Sequence, residues 1–100
     1  MRNIKIQNRV LELAKKIPKG RVTSYKEIAG ILEIHPRVVA MALACNLHLV
    51  KIPCHRVVYA DGRVGGYNLG VRKKIKLLKK EGVKILKGNV EKKYFYFFKA

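Results

Sequence analysis

Thr23-Ser24-Tyr25-Lys26-Glu27-Ile28-Ala29-Gly30-Ile31-Leu32-Glu33-Ile34-His35-Pro36-Arg37-Val38-Val39-Ala40-Met41-Ala42-Leu43-Ala44 is the stretch whose reading decides the fold. Thr23 and Ser24 are N-cap candidates, and Glu27 follows Ser24 by three residues as in a capping box. The pattern predicts a short helix over Tyr25–Leu32, a tight turn at Glu33-Ile34-His35, and a second helix from Pro36 to Ala44. Proline suits a first helical position because the N–H it lacks would be unpaired there anyway. His35 is an indifferent N-cap. Two short helices about a tight turn read as a helix-turn-helix, with Pro36–Ala44 as its recognition helix.

Upstream, Ile6, Val10, Leu13, Ala14 and Ile17 recur at the spacing of a helix with one buried face, and Pro18-Lys19-Gly20 stops it. Downstream, Leu47–Ile52 is an apolar connection and Arg56–Tyr59 reads as a short strand. Asp61-Gly62 is a turn signal, and Gly65–Gly70 is a glycine-rich loop. Val71–Glu81 regains helical spacing through Val71, Ile75 and Leu78, with lysines on its outer face, and Gly82 ends it. The tail divides into Val83–Leu86 and Val90–Phe98 about Gly88-Asn89, as a hairpin or an aromatic cover for the core. The expected fold is α+β and mainly helical: a winged-helix-like helix-turn-helix domain with short strands. It occupies residues 1–100 as one domain, with 83–100 as a C-terminal extension over the core.

Lys and Arg outnumber Asp and Glu by 23 to 6, for a formal charge of +17. The excess is uneven: residues 1–50 hold nine basic residues against three acids, and 51–100 hold fourteen against three. Such a field attracts nucleic acid or an anionic membrane surface. A phosphate binder without chemistry would satisfy it. No apolar run is long enough to span a membrane, and Met1–Lys5 lacks the apolar centre of a signal peptide. Two cysteines without such a signal point to free thiols in a cytoplasmic setting.

Ile52-Pro53-Cys54-His55-Arg56-Val57-Val58 places a thiol beside an imidazole in an apolar run. Neighbouring positive charge lowers a thiol pKa and raises its thiolate fraction. Cys54 has three readings: a buried structural cysteine, a zinc ligand with Cys45, His48 and His55, or a nucleophile. The zinc spacing matches no common module. In extended backbone, adjacent side chains point to opposite faces, so His55 would reach the Cys54 sulfur only through a water. An acid would then have to orient the imidazole. Glu81 is the acid placed oddly, at the end of a helix whose dipole disfavours it, and beside Lys79 and Lys80. A solvated charge is the plain reading; the third member of a Cys54–water–His55–Glu81 relay is the functional one. Arg37 at the recognition-helix N-terminus is a phosphate or base contact, or a surface arginine. Ala40, Ala42 and Ala44 would allow close approach to a groove, or simply fill the helix. Tyr25 would meet DNA backbone or pack.

Together these residues resemble the catalytic domain of the O6-alkylguanine-DNA alkyltransferases, the methylated-DNA–protein-cysteine methyltransferases. The matching stretches are Ile17-Pro18 with Gly20, Val22, Ser24-Tyr25 and Ile28-Ala29, then Pro36-Arg37, Asn46 and Ile52–Val58. Gly66-Tyr67 to Gly70, and Lys74 through Leu77-Leu78 to Glu81-Gly82, complete a likeness over about residues 6–86. The resemblance implies a monomeric repair protein that needs no cofactor or metal and acts once on duplex DNA containing O6-alkylguanine. It implies a helix-turn-helix in the minor groove, with Lys26 and Ala40 at the DNA, Arg37 filling the stack left by a flipped nucleotide, and Tyr25 pressing on its phosphate. Cys54, activated through His55 and Glu81, would take the alkyl group, with Asn46 holding the turn before it. A tyrosine hydroxyl, that of Tyr25, would protonate the leaving guanine, and the backbone at Cys54 and Val57, with the loop Tyr67-Asn68, would read it.

The departures are a missing N-terminal domain, Val38 and Ala40 where Ala and Gly are usual, Leu47 for a usual Pro, and Asn68-Leu69 for small pocket residues. Two rivals stand beside this reading. One is an alkyltransferase-like lesion sensor, a similarly short group that replaces the nucleophile, often by Trp. The other is a helix-turn-helix regulator, which would leave Cys54, His55 and Glu81 idle.

Overall fold

The computed structural model describes residues 4–46 and 51–98. Leu47–Val50, and with them Leu47, His48 and most of the expected apolar connection, lie outside the described residues. Helix α1 spans Ile4–Lys15, and the Lys16 and Ile17 amides just beyond it donate to Leu13 and Ala14 before Pro18 prevents continuation. Val10, Ala14 and Ile17 are buried, whereas Ile6 and Leu13 are only partly so.

Helix α2, Tyr25–Leu32, opens on Ser24, whose Oγ accepts the Glu27 amide at 2.9 Å. The capping box is half made: Glu27 turns its carboxylate to the Phe98 amide at 3.1 Å. Glu33 closes the helix in a left-handed conformation, φ 55°, and its N–H donates to the Ala29 carbonyl. Helix α3 is Pro36–Ala44. Its cap corrects the low expectation for His35, because the ring Nδ1 accepts the Arg37 amide at 3.0 Å. An imidazole nitrogen does what a hydroxyl or carboxylate does at other caps. Val39, Ala42 and Leu43 face inward onto α1 and α2. Each fully buried aliphatic side chain here stabilises the fold by about 1.5–3 kcal/mol.

The expected Arg56–Tyr59 strand is shorter, and the run before it is not extended. Cys54–Arg56 forms one 3-10 turn, in which the Arg56 amide donates to Pro53 and the Val57 amide to Cys54. Strand β2, Val57–Val58, follows and pairs in parallel with β1, Thr23–Ser24. On the far side of β1, the tail runs alongside Val22: Val22 N–H donates to Tyr94 and Tyr96 N–H donates back to Val22. Arg21 ties the same tail through the Tyr94 and Phe95 carbonyls.

Helix α4 is Val71–Lys80, with Glu81 as its C-cap and Gly82 in the left-handed region just beyond. Here the expected outer face needs correction: Val71 is exposed and Lys74 is 1 % exposed. The tail is both hairpin and cover. Strands β3, Ile85–Leu86, and β4, Asn89–Val90, meet through Lys87 and Gly88, both at positive φ, as a two-residue primed turn requires. Phe95 is then buried and Phe98 packs on the core, while Phe97 is exposed.

Successive strand residues face opposite ways, and β2 uses this to separate two apolar clusters. Val57 joins Val10, Ile28, Val39 and Cys54 beneath the helix-turn-helix; Val58 joins Val22, Val64, Leu78, Val83 and Phe95 beneath α4 and the hairpin. The Cys54 turn therefore sits on the seam. Among the described residues no helix is long and apolar enough to cross a membrane.

Candidate functional site

Cys54 opens its 3-10 turn with the thiol 5 % exposed, at the floor of a pocket of about 320 Å³. Ala40, Leu43 and Ala44 of α3 form one wall; Gly66, Tyr67 and Asn68 of the glycine-rich loop form another; Tyr25 and Tyr59 close the end. Asn46, buried just after α3, holds the turn: its Nδ2 donates to the Ile52 carbonyl at 3.3 Å and reaches Cys54 Sγ at 3.5 Å. Asn68 Nδ2 donates to the Asn46 carbonyl at 3.4 Å and so ties the loop to the same corner.

Burial pushes the Cys54 thiol up, and the Asn46 hydrogen bond and the Lys74 charge only partly reverse it. Neighbouring positive charge was expected to favour a standing thiolate, but desolvation wins here. The sulfur is a neutral thiol at rest, and a nucleophile has to be made by removing its proton.

The other side of the turn carries the means. His55 Nε2 lies 3.1 Å from Glu81 Oε2, and Arg56 grips both Glu81 oxygens, at 3.0 Å through Nε and 2.7 Å through Nη2. Arg56 Nη1 also donates to the Ile17 carbonyl at 2.8 Å, fixing the guanidinium to the end of α1. Burial would raise the Glu81 carboxyl, yet the hydrogen bonds from Arg56 and His55 hold it below the usual carboxylate range. An ionised carboxylate only accepts, so the His55 proton is on Nε2 and Nδ1 keeps its lone pair. That Nδ1 is buried and has no hydrogen-bond partner among the described residues. Burial also lowers the His55 pKa, against the pull of Glu81, so the ring rests neutral and can accept a proton.

Lys74 is the group that sequence periodicity placed wrongly. Its Nζ donates to the carbonyls of Val64 at 2.6 Å and Gly66 at 3.0 Å and lies 3.4 Å from the Tyr25 hydroxyl. Burial brings its pKa down to about 8, partly offset by Cys54. The Tyr25 phenol is pushed up to about 12, first by burial and then by Tyr59 and Cys54. A signal for Lys74 did exist: it lies four residues before Leu78 and seven before Glu81, along one helix edge. Arg56 stood in the motif with no role attached, and only its two-pronged grip on Glu81 reveals one.

A second concavity, of about 610 Å³, opens beside the pocket and shares Tyr25, Ala40 and Tyr59 with it. Lys26 and Arg37 line it, as does Arg63, whose guanidinium sits 4.6 Å over the Tyr59 ring. The structure thus brings Arg37, Lys26 and Ala40 to one exposed groove. It separates the three alanines, since Ala42 is wholly buried while Ala40 and Ala44 are exposed. Tyr25, 8 % exposed, lines both the pocket and the open groove. Val57 does not line the pocket: it is fully buried in β2. Among the described residues no cluster of three or more His, Cys, Asp or Glu side chains is arranged to hold a metal.

Residues 5–83 match the family described as "6-O-methylguanine DNA methyltransferase, DNA binding domain". The chain is 54 % identical over 70 residues to the methylated-DNA–protein-cysteine methyltransferase of Saccharolobus solfataricus; the match takes in 70 % of this chain and 46 % of that protein. It therefore spans about half the length of the curated relatives it matches. Mycobacterium tuberculosis OGT, solved in complex with DNA, superposes with a TM-score of 0.75 at 36 % identity over 80 % of this chain and 51 % of that one. The S. pombe ATL, also solved with DNA, gives 0.80 at 27 % identity over 96 % and 98 %. With the fold, the Pro53–Val58 turn and a family match over most of its length, this chain belongs to the 6-O-methylguanine DNA methyltransferase family, through its DNA-binding domain.

Proposed function

We propose that this chain is a monomeric, single-turnover DNA repair protein that flips O6-alkylguanine out of duplex DNA and takes the alkyl group onto Cys54. The observation that carries the reading is a neutral, pocket-floor thiol backed by an imidazole whose free nitrogen awaits a proton. Flipping costs a few kcal/mol of stacking and pairing, about what pocket contacts and an inserted side chain can return. Arg37 fills the gap in the stack, with Lys26 at the backbone and Ala40 allowing close approach. Its setting is the cytoplasm, on chromosomal DNA.

In the pocket, Tyr67 and Asn68 hold the guanine with the O6 substituent toward Cys54. The thiol proton passes through a water to His55 Nδ1, and Glu81 steadies the imidazolium. The sulfur–carbon bond forms in line as the carbon–O6 bond breaks, and the electron pair stays with guanine. The Tyr25 hydroxyl supplies the proton that neutralises the departing base. Lys74, with a pKa of about 8 against about 12 for the phenol, returns a proton to Tyr25 downhill. The product is a thioether with no good leaving group, so each molecule acts once. No cofactor or metal enters this sequence.

The test is mass spectrometry after incubation with duplex DNA containing O6-methylguanine: the Cys54 peptide gains one methyl, and Cys54→Ser abolishes transfer but still binds. A methyl on Cys45 would overturn the assignment. The second reading, a lesion sensor without transfer, is favoured by the full-length likeness to the S. pombe ATL. An unmodified Cys54 peptide with lesion binding intact would establish that reading instead.

A further inference from the structure

Helix α4 carries charge that the site does not use. Its buried edge is Lys74 and Leu78. At about 100° per residue, Arg72, Lys73, Lys76, Lys79 and Lys80 fall on an arc of about 120° centred opposite that edge. All five are exposed, and among the described residues none has a carboxylate within salt-bridge distance. The exposed acids near basic side chains pair elsewhere: Glu12 with Lys15, Asp61 with Arg63, Glu91 with Lys93.

This arrangement works against the helix. Arg72 and Lys73 stand in a first turn that holds no acid, where the helix dipole disfavours cations. Arg72–Lys76, Lys73–Lys76, Lys76–Lys79 and Lys76–Lys80 are like-charge neighbours at three or four residues, each costing about 0.2–0.5 kcal/mol. A polyanion laid along the face removes those costs. The row from Arg72 to Lys80 is about 12 Å long. Duplex DNA presents about seven charges over that length.

Neither the groove at Arg37 nor the Cys54 pocket is lined by any α4 residue. The Lys74 edge looks toward the pocket, so the cationic face looks away from it. We propose that the outer face of α4 is a second duplex-DNA contact, by which one molecule holds two duplex segments and passes directly from one to the other. This rests on the duplex-binding part of the function proposed above, and not on alkyl transfer.

The test is stopped-flow release from a short fluorescent duplex challenged with increasing unlabelled duplex. The expected result is a release rate that climbs with competitor concentration, because the second duplex is engaged before the first departs. In the Lys73→Glu/Lys76→Glu/Lys80→Glu variant the rate becomes independent of competitor. Its affinity for one short duplex falls less than about fivefold, since salt screens charges beyond about 10 Å. The corresponding glutamine variant flattens the dependence as well, which separates lost attraction from introduced repulsion. A wild-type rate that ignores competitor, or a slope that survives in both variants, overturns the proposal. So does equal acceleration by single-stranded RNA or anionic vesicles, which would make the face a general polyanion surface. Failure to form any complex with duplex DNA would overturn the DNA reading itself; a complex whose release ignores competitor overturns the second contact alone.

Discussion

The two apolar clusters on either side of β2 are built differently. Beneath the helix-turn-helix, most members come from α1, α2 and α3, three helices close in sequence. Beneath α4 and the hairpin, the members are gathered from Val22 to Phe95, and beside them lie Lys74 and Glu81, both charged and turned inward. The first cluster makes a rigid platform out of local pattern. The second brings distant segments together and holds Lys74 on the Val64 and Gly66 carbonyls and Glu81 on His55 and Arg56. The Cys54–Arg56 turn stands on the seam, with its thiol in the first cluster and its His55 and Arg56 side chains on the Glu81 carboxylate.

The sharpest way to break this contrast is to damage each cluster equally. Ile28→Ala and Leu78→Ala each remove a fully buried aliphatic side chain and should each cost about 2–5 kcal/mol in denaturant unfolding. At a temperature where both remain folded, Leu78→Ala should also slow alkylation of Cys54, because Leu78 lies between Lys74 and Glu81 on α4. Equal thiol reactivity in the two variants would mean that the clusters do not divide their roles.

Next in size, Glu81→Gln should lower the transfer rate about 100-fold with little change in lesion binding, since it removes the charge that steadies the His55 imidazolium. Measuring the rate against pH sharpens the point. The wild-type rate should stay flat between the lowered His55 pKa and the raised Cys54 pKa, where the thiol is protonated and the imidazole neutral, whereas the variant, left to react through thiolate, should climb as pH approaches the Cys54 pKa. A rate unchanged by the substitution would leave His55 without its orienting acid as a factor.

Lys74 offers a test by linkage. Its pKa is about 8 when folded, against 10.5 as the ordinary value. Below pH 8 both states carry the proton, so the folded state bears the whole cost of burying the charge. Between about pH 8 and 10 the folded state sheds the proton while the unfolded chain keeps it. Wild-type stability should therefore rise relative to Lys74→Met over that window, by about 1–3 kcal/mol. A gap that stays constant with pH would mean that Lys74 is not buried as an amine in solution. The smallest expected effect is on the platform side: Ser24→Ala removes the cap on the Glu27 amide and should cost about 1 kcal/mol in thermal unfolding.

Much of the platform was legible residue by residue. Val10, Ala14 and Ile17 are buried where helical spacing puts them, and Ser24 caps as its type and position indicate. Cys54, His55, Asn46 and Glu81 could be nominated from residue type and resemblance, yet the conformation carrying them could not. An apolar, β-branched run argues for extended chain, but Cys54–Arg56 turns in 3-10 form, because Asn46 takes the Ile52 carbonyl and Arg56 is pulled to Glu81. Lys74 escaped for a related reason. Hydrophobic periodicity reports faces buried for their own hydrophobicity, whereas this lysine is buried because carbonyls of the glycine-rich loop accept its protons.

By itself, then, the sequence determined the helix-turn-helix, the basic character and the identity of the thiol, since caps, apolar spacing and charge are properties of neighbouring residues. The tertiary structure decided that the thiol rests protonated, that Arg56 and His55 share one carboxylate, and that Lys74 stands behind Tyr25. Those outcomes depend on desolvation and on partners 25 to 49 residues apart, and no local pattern encodes either.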